Sequence, residues 1–435
     1  MAVGLDKPLL GKNGSKAGKF AQVEVGSTVT ATVINLLKNM VGAGLLNVCV
    51  AFQYASVVGG LLIMLFSAFV CTGGFLLIGY CCSKTGARTF RELWRSAMGS
   101  QTEKTVDVVL FFHTLFSCVG YVTMIGDFCI KSASGLIPDS IFARRRESSI
   151  LLISLFAIFP LCLYKNLDPL KYTSVVGLAI TAFSCAYIFY DVIWNAEEYG
   201  AAETLNSHFW YVQLDMFKTL ALFNGSFSAH YNAPTYYAEL HLAERCEEVK
   251  VSFWAFGIAT LLFTAFGLAG FARFGDEVLG NVLKSYSPDD PMIQLSWFCM
   301  MVSTVFNFPH AFQRMRSSFN ALLNKGPEEN FMMTTILLLS ISVYMGVAFK
   351  DIAVIKMIKG ATLGVSIMFI FPALFFIQLN EPIRLKRKCS GDINDPMSQV
   401  RRRRRGNWLS VLCVIMMITG FVQGALALMV HYNII

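Results

Sequence analysis

Charge is scarce in this chain. Only 15% of its residues are Asp, Glu, Lys or Arg, 55% are hydrophobic, and mean hydropathy is +0.55. Soluble domains carry about a quarter charged residues, so an ordinary soluble domain is excluded. Histidine is scarce, and no His/Cys set has metal-ligand spacing. No Gly-rich phosphate loop follows a strand, and there is no nucleophile elbow. His113 stands without a partner at i+4. These absences argue against an enzyme, a resident metal and a cofactor. The 12 cysteines show no CxxC spacing and fall mostly in apolar runs, which suits packing residues better than a disulfide framework or a zinc site. Residues 1–24 are polar and lysine-rich, so no cleavable signal peptide is expected.

What the chain has instead is long apolar runs, recurring from residue 28 to residue 431. A bilayer crossing takes roughly 20 apolar residues in a helix, because unpaired backbone groups cannot be left in hydrocarbon. The runs predict eleven crossings: 28–52, 57–82, 105–130, 149–164, 170–194, 211–231, 251–272, 291–313, 331–349, 352–379 and 408–431. The fourth is short and is expected to end at Pro160. The expected organisation is a cytosolic tail (1–26), a ten-helix core (27–379), a basic cytosolic loop (380–407) and an eleventh helix with a short end (408–435). Within the core, one repeat spans about 28–194 and a second about 211–379.

With the N-terminus inside, the inner segments hold 25 Lys and Arg and the outer loops 7. Positive residues concentrate on the cytosolic side, so the N-terminus is expected there. Arg144, Arg145 and Arg146 form the one cluster on the wrong side, and the sequence offers no account of it. The run Arg401–Arg405 suits a topological anchor on anionic lipid better than a nucleic-acid site. Asp6-Lys7-Pro8-Leu9-Leu10 has the form of an acidic dileucine sorting signal, so an endomembrane (lysosome- or vacuole-like) address stands beside the plasma membrane.

Two of the crossings carry a helix-weakening cluster. Gly42-Ala43-Gly44 lies mid-span in the first, and Asn224-Gly225-Ser226 mid-span in the sixth, with Pro234 beyond it. Breaks at membrane depth are tolerated where they line a cavity. Two breaks five helices apart are the spacing of two five-helix repeats. Freed N–H groups and half-helix N-termini would then face the bilayer centre and suit a carboxylate. Close packing of helices through small residues is the alternative.

The stretch Asn35-Leu36-Leu37-Lys38-Asn39-Met40-Val41-Gly42-Ala43-Gly44-Leu45-Leu46, followed by Ala51-Phe52, resembles the first helix of the amino acid/auxin permeases. That family includes the vesicular, proton-coupled and sodium-coupled neutral amino acid transporters. Further similarity lies in Gly120-Tyr121, Gly126-Asp127, Phe223-Asn224, His230, the Pro234…Tyr237…Glu239-Leu240 ending, Asn307-Phe308-Pro309, Gly360 and Pro372-Ala373-Leu374. Val48-Cys49 stand where the family usually has Leu-Pro. The resemblance implies an all-α leucine-transporter-type fold, two inverted five-helix repeats plus an eleventh helix. It also implies that Lys38 stands where sodium-coupled members have an asparagine of the ion site, and where proton-coupled members have lysine in a similar Leu-Leu-Lys context.

Lys38 lies about 15 Å into the first crossing, at about 1.5 Å per residue from Thr28. That is near the middle of a core roughly 30 Å thick. It is one turn before Gly42. An intramembrane ionisable residue is a functional suspect by default, with snorkelling to the inner face as the alternative. Tyr121 could cap a carboxylate or simply pack. His230 could relay protons or be a bonded structural histidine. Ser303, Thr304 and Asn307 could face an ion position beside the first helix or glue helices together. Asp127 and Asp351, near outer helix ends, are expected to be solvated or gating rather than central.

The expected function is secondary active transport of an amino acid by alternating access. Gly42, Ala43 and Gly44 would hold the carboxylate, and Asn224 and Ser226 the amino group, with Phe223 and Tyr121 shaping the pocket. An ammonium at Lys38 would repel Na⁺, so sodium independence is expected, with proton coupling and facilitated exchange both open. An amino-acid sensor on the same scaffold and a channel are the rivals. The expected partners are the amino acid, protons in one version, and the lipid bilayer, with no nucleic acid and a monomeric chain.

Overall fold

The computed structural model describes residues 27–164, 171–240, 247–326 and 329–379, and within the last predicted crossing 415, 418, 422 and 425–430. Among the described residues the secondary structure is helical, apart from one isolated bridge between Ser27 and Leu240. The N-terminal tail with its dileucine, the basic loop with Arg401–Arg405, and most of the eleventh crossing lie outside the described residues.

Thr28 caps α1 (Val29–Gly44) by accepting from Ala31 N at 3.3 Å. A tight turn, Leu45–Asn47, joins it to α2 (Val48–Tyr54). Ser56 caps α3 (Val57–Thr85), which stops at Gly86, where φ of 72° is a glycine conformation. Then comes α4 (Phe90–Met98), whose Phe90, Leu93, Trp94 and Ala97 share one buried face. Its Arg91 and Arg95 both reach Glu103 at 2.7 Å. Its buried face packs on a helix late in the chain, with Trp94 edge-on to Phe371 and Phe375. α5 (Lys104–Leu136) runs 33 residues.

The fourth predicted crossing is built from pieces. α6 (Ile141–Arg144) and α7 (Arg146–Ile153) lead through a wide turn, Ser154–Ile158, into α8 (Phe159–Cys162). The helix therefore passes Pro160 instead of ending there. Proline lacks an N–H and its ring crowds the carbonyl four residues back, and widening the preceding turn relieves both. α9 (Lys171–Trp194) follows, then α10 (Ala201–Ser207) in the acidic loop.

The sixth crossing starts at Met216, later than the hydropathy predicts. Residues ahead of it are tied to the end of α2 instead: Tyr211 Oη donates to Gln53 O and Gln213 Nε2 to Tyr54 O, both at 3.0 Å. It splits into α11 (Met216–Ser226) and α12 (Ala233–Glu239). α13 (Glu248–Phe274), α14 (Pro291–Leu322) and α15 (Phe331–Ala348) are continuous, and α16 (Ile352–Lys359) continues through wide turns as helix to Leu379. Six of these spans are long and apolar enough to cross a membrane. The nine described cysteines are free thiols, eight of them buried.

The core divides in two. One cluster joins α1, α2, α3, α11 and α13 through Leu36, Phe52, Met64, Phe223 and Phe263. The other joins α5, α7, α14 and α15 through Val119, Ile150, Phe308, Phe312 and Leu338. Tyr121 and Met301 pack against both. α16 straddles them: Ile352, Ala353 and Met357 belong to the first, Ile355 to the second.

Within the cluster Arg144–Arg146, the structure accounts for Arg146 and gives Arg144 a partner; Arg145 is exposed. Arg146 is no topological signal, because its guanidinium is turned inward. Its Nε donates to Asp127 at 3.0 Å, and its other nitrogens to the carbonyls of Thr123, Gly346, Val347 and Phe349. Arg's planar fork suits such a convergent set of acceptors. Lys284 adds a second cation to Asp127 at 3.1 Å, and Arg144 pairs with Asp139. Asp127 is thus a buried ion-pair centre, 7% exposed, and not a solvated helix-end residue. Asp351 is exposed and caps α16 by accepting from Ala353 N.

Candidate functional site

The two broken crossings run side by side. Ser226 Oγ donates to Gly44 O at 3.2 Å, and Thr219 Oγ1 to Ala51 O at 2.8 Å. A Cβ on Gly44 would sit 3.2 Å from Ser226 O and 3.3 Å from Phe263 Cζ. Gly44 itself is right-handed helical, at φ −68° and ψ −36°. The break in the first crossing therefore falls just beyond the glycines, at Leu45–Asn47, and Gly44 serves close packing. At the second break, residues 227–229 leave the helix before a tight turn at His230–Asn232. The side-chain amides of Asn47 and Asn224 are buried here, and neither has a hydrogen-bond partner among the described residues.

Beside the second break lies an open pocket with about 490 Å³ of non-protein space. α1 contributes Asn39, whose Oδ1 accepts from Tyr231 Oη at 2.9 Å. The second break contributes Gly225, Ser226, Ser228 and Tyr231. α5 contributes Ser117, Gly120 and Tyr121. α16 closes the pocket with Lys356 and Lys359. Lys359 Nζ donates to Ser117 Oγ at 3.2 Å. His113 reaches the pocket edge through Ser228, with Nε2 2.8 Å from its Oγ.

Of the residues expected to bind substrate, the fold brings Tyr121 and Ser226 into this pocket. Gly42, Gly44, Phe223 and Asn224 do not line it. Gly42 faces α14, where a Cβ would lie 3.9 Å from Asn307 Nδ2. Phe223 is fully buried and packs edge-on to Phe52, 6.1 Å between centroids. Ala43 lies in α1, and its side chain falls outside the described residues.

The expected ion-site residues sit apart from the pocket. Lys38 is half-buried and lies one turn before Gly42, whose face meets Asn307 of α14. Ser303 turns to α9, with Oγ 3.5 Å from Gly177 O, and Thr304 donates back to Met300 O within its own helix. His230 is hydrogen-bonded through one ring nitrogen. Its Nε2 lies 2.7 Å from Cys71 O, and its ring packs against Phe75 and Phe256.

Sequence reasoning missed Lys356, Lys359, Asn39, Ser117, Ser228 and Tyr231, and left His113 as solitary. For the lysines the signal was present: both are ionisable residues inside a predicted crossing, the criterion that singled out Lys38. His113 has its partner 115 residues away, beyond any local spacing rule.

The family described as "Transmembrane amino acid transporter protein" matches residues 25–389. The chain is similar to Vacuolar amino acid transporter 7 of Saccharomyces cerevisiae, 27% identical over 309 residues, covering 69% of this chain and 61% of that one. It is similar to Sodium-coupled neutral amino acid transporter 7 of Danio rerio, 24% identical over 374 residues, covering 81% and 79%. Among solved structures, a sodium-coupled sialic acid symporter in its substrate-bound outward-open state superposes with a TM-score of 0.50 at 13% identity, over 92% of this chain and 98% of that one. The fold is of the leucine-transporter type.

Proposed function

The chain belongs to the transmembrane amino acid transporter family, and on that premise we propose that it is a secondary active transporter moving an amino acid by alternating access. The observation that carries this is the position of the pocket. It lies where the two hydrophobic clusters meet, against a broken helix, with Tyr121 packed on both sides. Movement of the broken crossings against α5 and α14, which contribute to both clusters, would expose the pocket to each face in turn. The broken backbone beside it offers hydrogen-bonding groups that a continuous helix keeps to itself. The buried amides of Asn47 and Asn224 are unspent donors and acceptors at the same two breaks.

Transport is independent of sodium in this reading. Lys38 supports it: its ammonium lies on the α1 face that meets α14, at a position the sodium-coupled relatives give to an ion-site asparagine. A fixed cation there disfavours a second one. The substrate gradient is coupled to protons or exchanged. The protein works in an endomembrane or the plasma membrane with its N-terminus in the cytosol.

The test is uptake by purified protein in proteoliposomes. A panel of labelled amino acids is offered in sodium, choline and N-methylglucamine buffers, with and without an imposed pH gradient. Saturable uptake of at least one amino acid in all three buffers is expected. Uptake of none, by protein that is monodisperse and folded, refutes transport; strict sodium dependence refutes the coupling.

A further inference from the structure

We infer that the pocket selects an acidic amino acid, with Lys356 and Lys359 receiving the side-chain carboxylate. This rests on the amino acid transport proposed above and specifies its substrate class.

The two lysines are three residues apart on α16 and so share one helical face. Both line the pocket. Lys359 is 6% exposed and makes one hydrogen bond, to Ser117. For Lys356 no hydrogen bond or ion pair is found among the described residues, and Lys359, a like charge, lines the same pocket one turn along the helix. The pocket lining contains no Asp or Glu. Asp351, the acid nearest in the chain, is exposed and occupied in capping α16. The remaining polar groups of the lining, from Asn39, Ser117, Tyr121, Ser226, Ser228 and Tyr231, are uncharged. The lysines therefore set the sign of the site.

Their helix packs closely on α11. A Cβ on Gly225 would sit 2.7 Å from Lys356 O, and a Cβ on Gly360 would overlap Ala221 O. α16 thus rests backbone to backbone on α11 at Lys356 and just beyond Lys359.

Intramembrane lysines are costly without an anion or carbonyl to receive them. Snorkelling to an interface is the usual relief, yet one of these is held inside by Ser117. A structural pair would carry its own carboxylate. A neutral amino acid brings one carboxylate and one ammonium, and leaves the excess of cations unchanged. An acidic amino acid brings one more carboxylate and offsets it. Charge-assisted hydrogen bonds from ammonium to carboxylate are about twice as strong as neutral ones.

Glutamate and glutamine have nearly the same shape and differ in charge, so they isolate this effect. Full-length protein in proteoliposomes is assayed with both, and with succinate, which keeps two carboxylates and lacks the ammonium. Expected is a kcat/KM for glutamate at least tenfold above that for glutamine, with succinate poorer than glutamate. Lys356→Gln and Lys359→Gln are each expected to lower the glutamate-to-glutamine ratio at least tenfold, and Lys356→Arg to keep it above one. Glutamine carried as well as glutamate by the wild type overturns the inference and leaves the transport proposal standing. So does a ratio that neither glutamine substitution moves. Succinate preferred over glutamate overturns it in favour of a dicarboxylate site. Uptake of no amino acid by folded protein brings down both. If a variant does not fold, the wild-type ratio and the other lysine decide.

Discussion

Gly225→Ala is the sharpest small perturbation of the pocket wall. Gly225 ends the straight part of α11, and its missing side chain is where α16 rests. An added Cβ would lie 2.7 Å from Lys356 O, whereas ordinary contact begins at 3.4 Å. The obstacle is backbone, so no rotamer change relieves it. α16 must back away from α11 by about 0.7 Å, the difference between those two distances. Overpacking of this kind costs about 1–3 kcal/mol. If the cost falls on the arrangement in which α16 closes against the break, it shifts the conformational equilibrium about 5- to 150-fold. Transport by Gly225→Ala is therefore expected to drop at least about fivefold, with a lowered melting temperature in detergent. Gly73 and Gly257 supply the controls. Both are in helices, and a Cβ on either meets nothing within 4 Å. Gly73→Ala and Gly257→Ala are expected to transport like wild type and to gain up to about 1 kcal/mol from helix propensity. The assay is proteoliposome uptake with thermal unfolding of the same preparations. Wild-type transport and an unshifted melting temperature in Gly225→Ala would refute the packing argument.

Other expectations follow from single sites. Arg146→Met strips Asp127 of one cation and removes the guanidinium's bonds to four carbonyls, of which Gly346 O and Phe349 O keep Thr123 Oγ1, so a loss of about 3 kcal/mol is expected, near the low end for a broken buried pair because Lys284 remains; a loss under about 1 kcal/mol in thermal unfolding would show the cluster to be solvated. Lys38→Asn removes the cation facing α14, and uptake is expected to become sensitive to sodium; identical rates in sodium and choline buffers would separate Lys38 from ion coupling. Epitope tags at the two ends are expected to need permeabilisation at one end only, and equal accessibility would rule out eleven crossings. Leu9→Ala combined with Leu10→Ala is expected to move the protein toward the plasma membrane, and an unchanged distribution by microscopy would remove the sorting signal.

How much of the site was legible depends on how local each signal is. Gly44 and Ser226 were singled out from composition alone, and the two lie against each other. Their chemistry was read differently, because a glycine that frees the backbone and a glycine that admits a neighbour look the same in one dimension. Lys38 and Lys356 illustrate the same limit. Each is a lysine inside an apolar run, and hydropathy gives depth along the helix but not the face that meets a pocket. Only the packing of α16 on α11 turns Lys356 and Lys359 inward, while Lys38 lies one turn before Gly42, whose face meets α14. Arg146 looked like a topological anomaly because its acceptors come from α15 and the residues just after it, some 200 positions away.

The helical class, the fold type and the family were readable from the sequence, as was the presence of helix-weakening clusters in the first and sixth apolar runs. Each of these is written in runs of neighbouring residues, since a bilayer demands apolar length and internally paired backbone from every segment separately. Tertiary structure alone decided which polar side chains share one cavity, which arginine turns inward onto Asp127, and which glycine is a contact rather than a hinge. Those outcomes depend on pairs of helices meeting at a given rotation, and the balance of burial and pairing that fixes the rotation is distributed over the whole bundle.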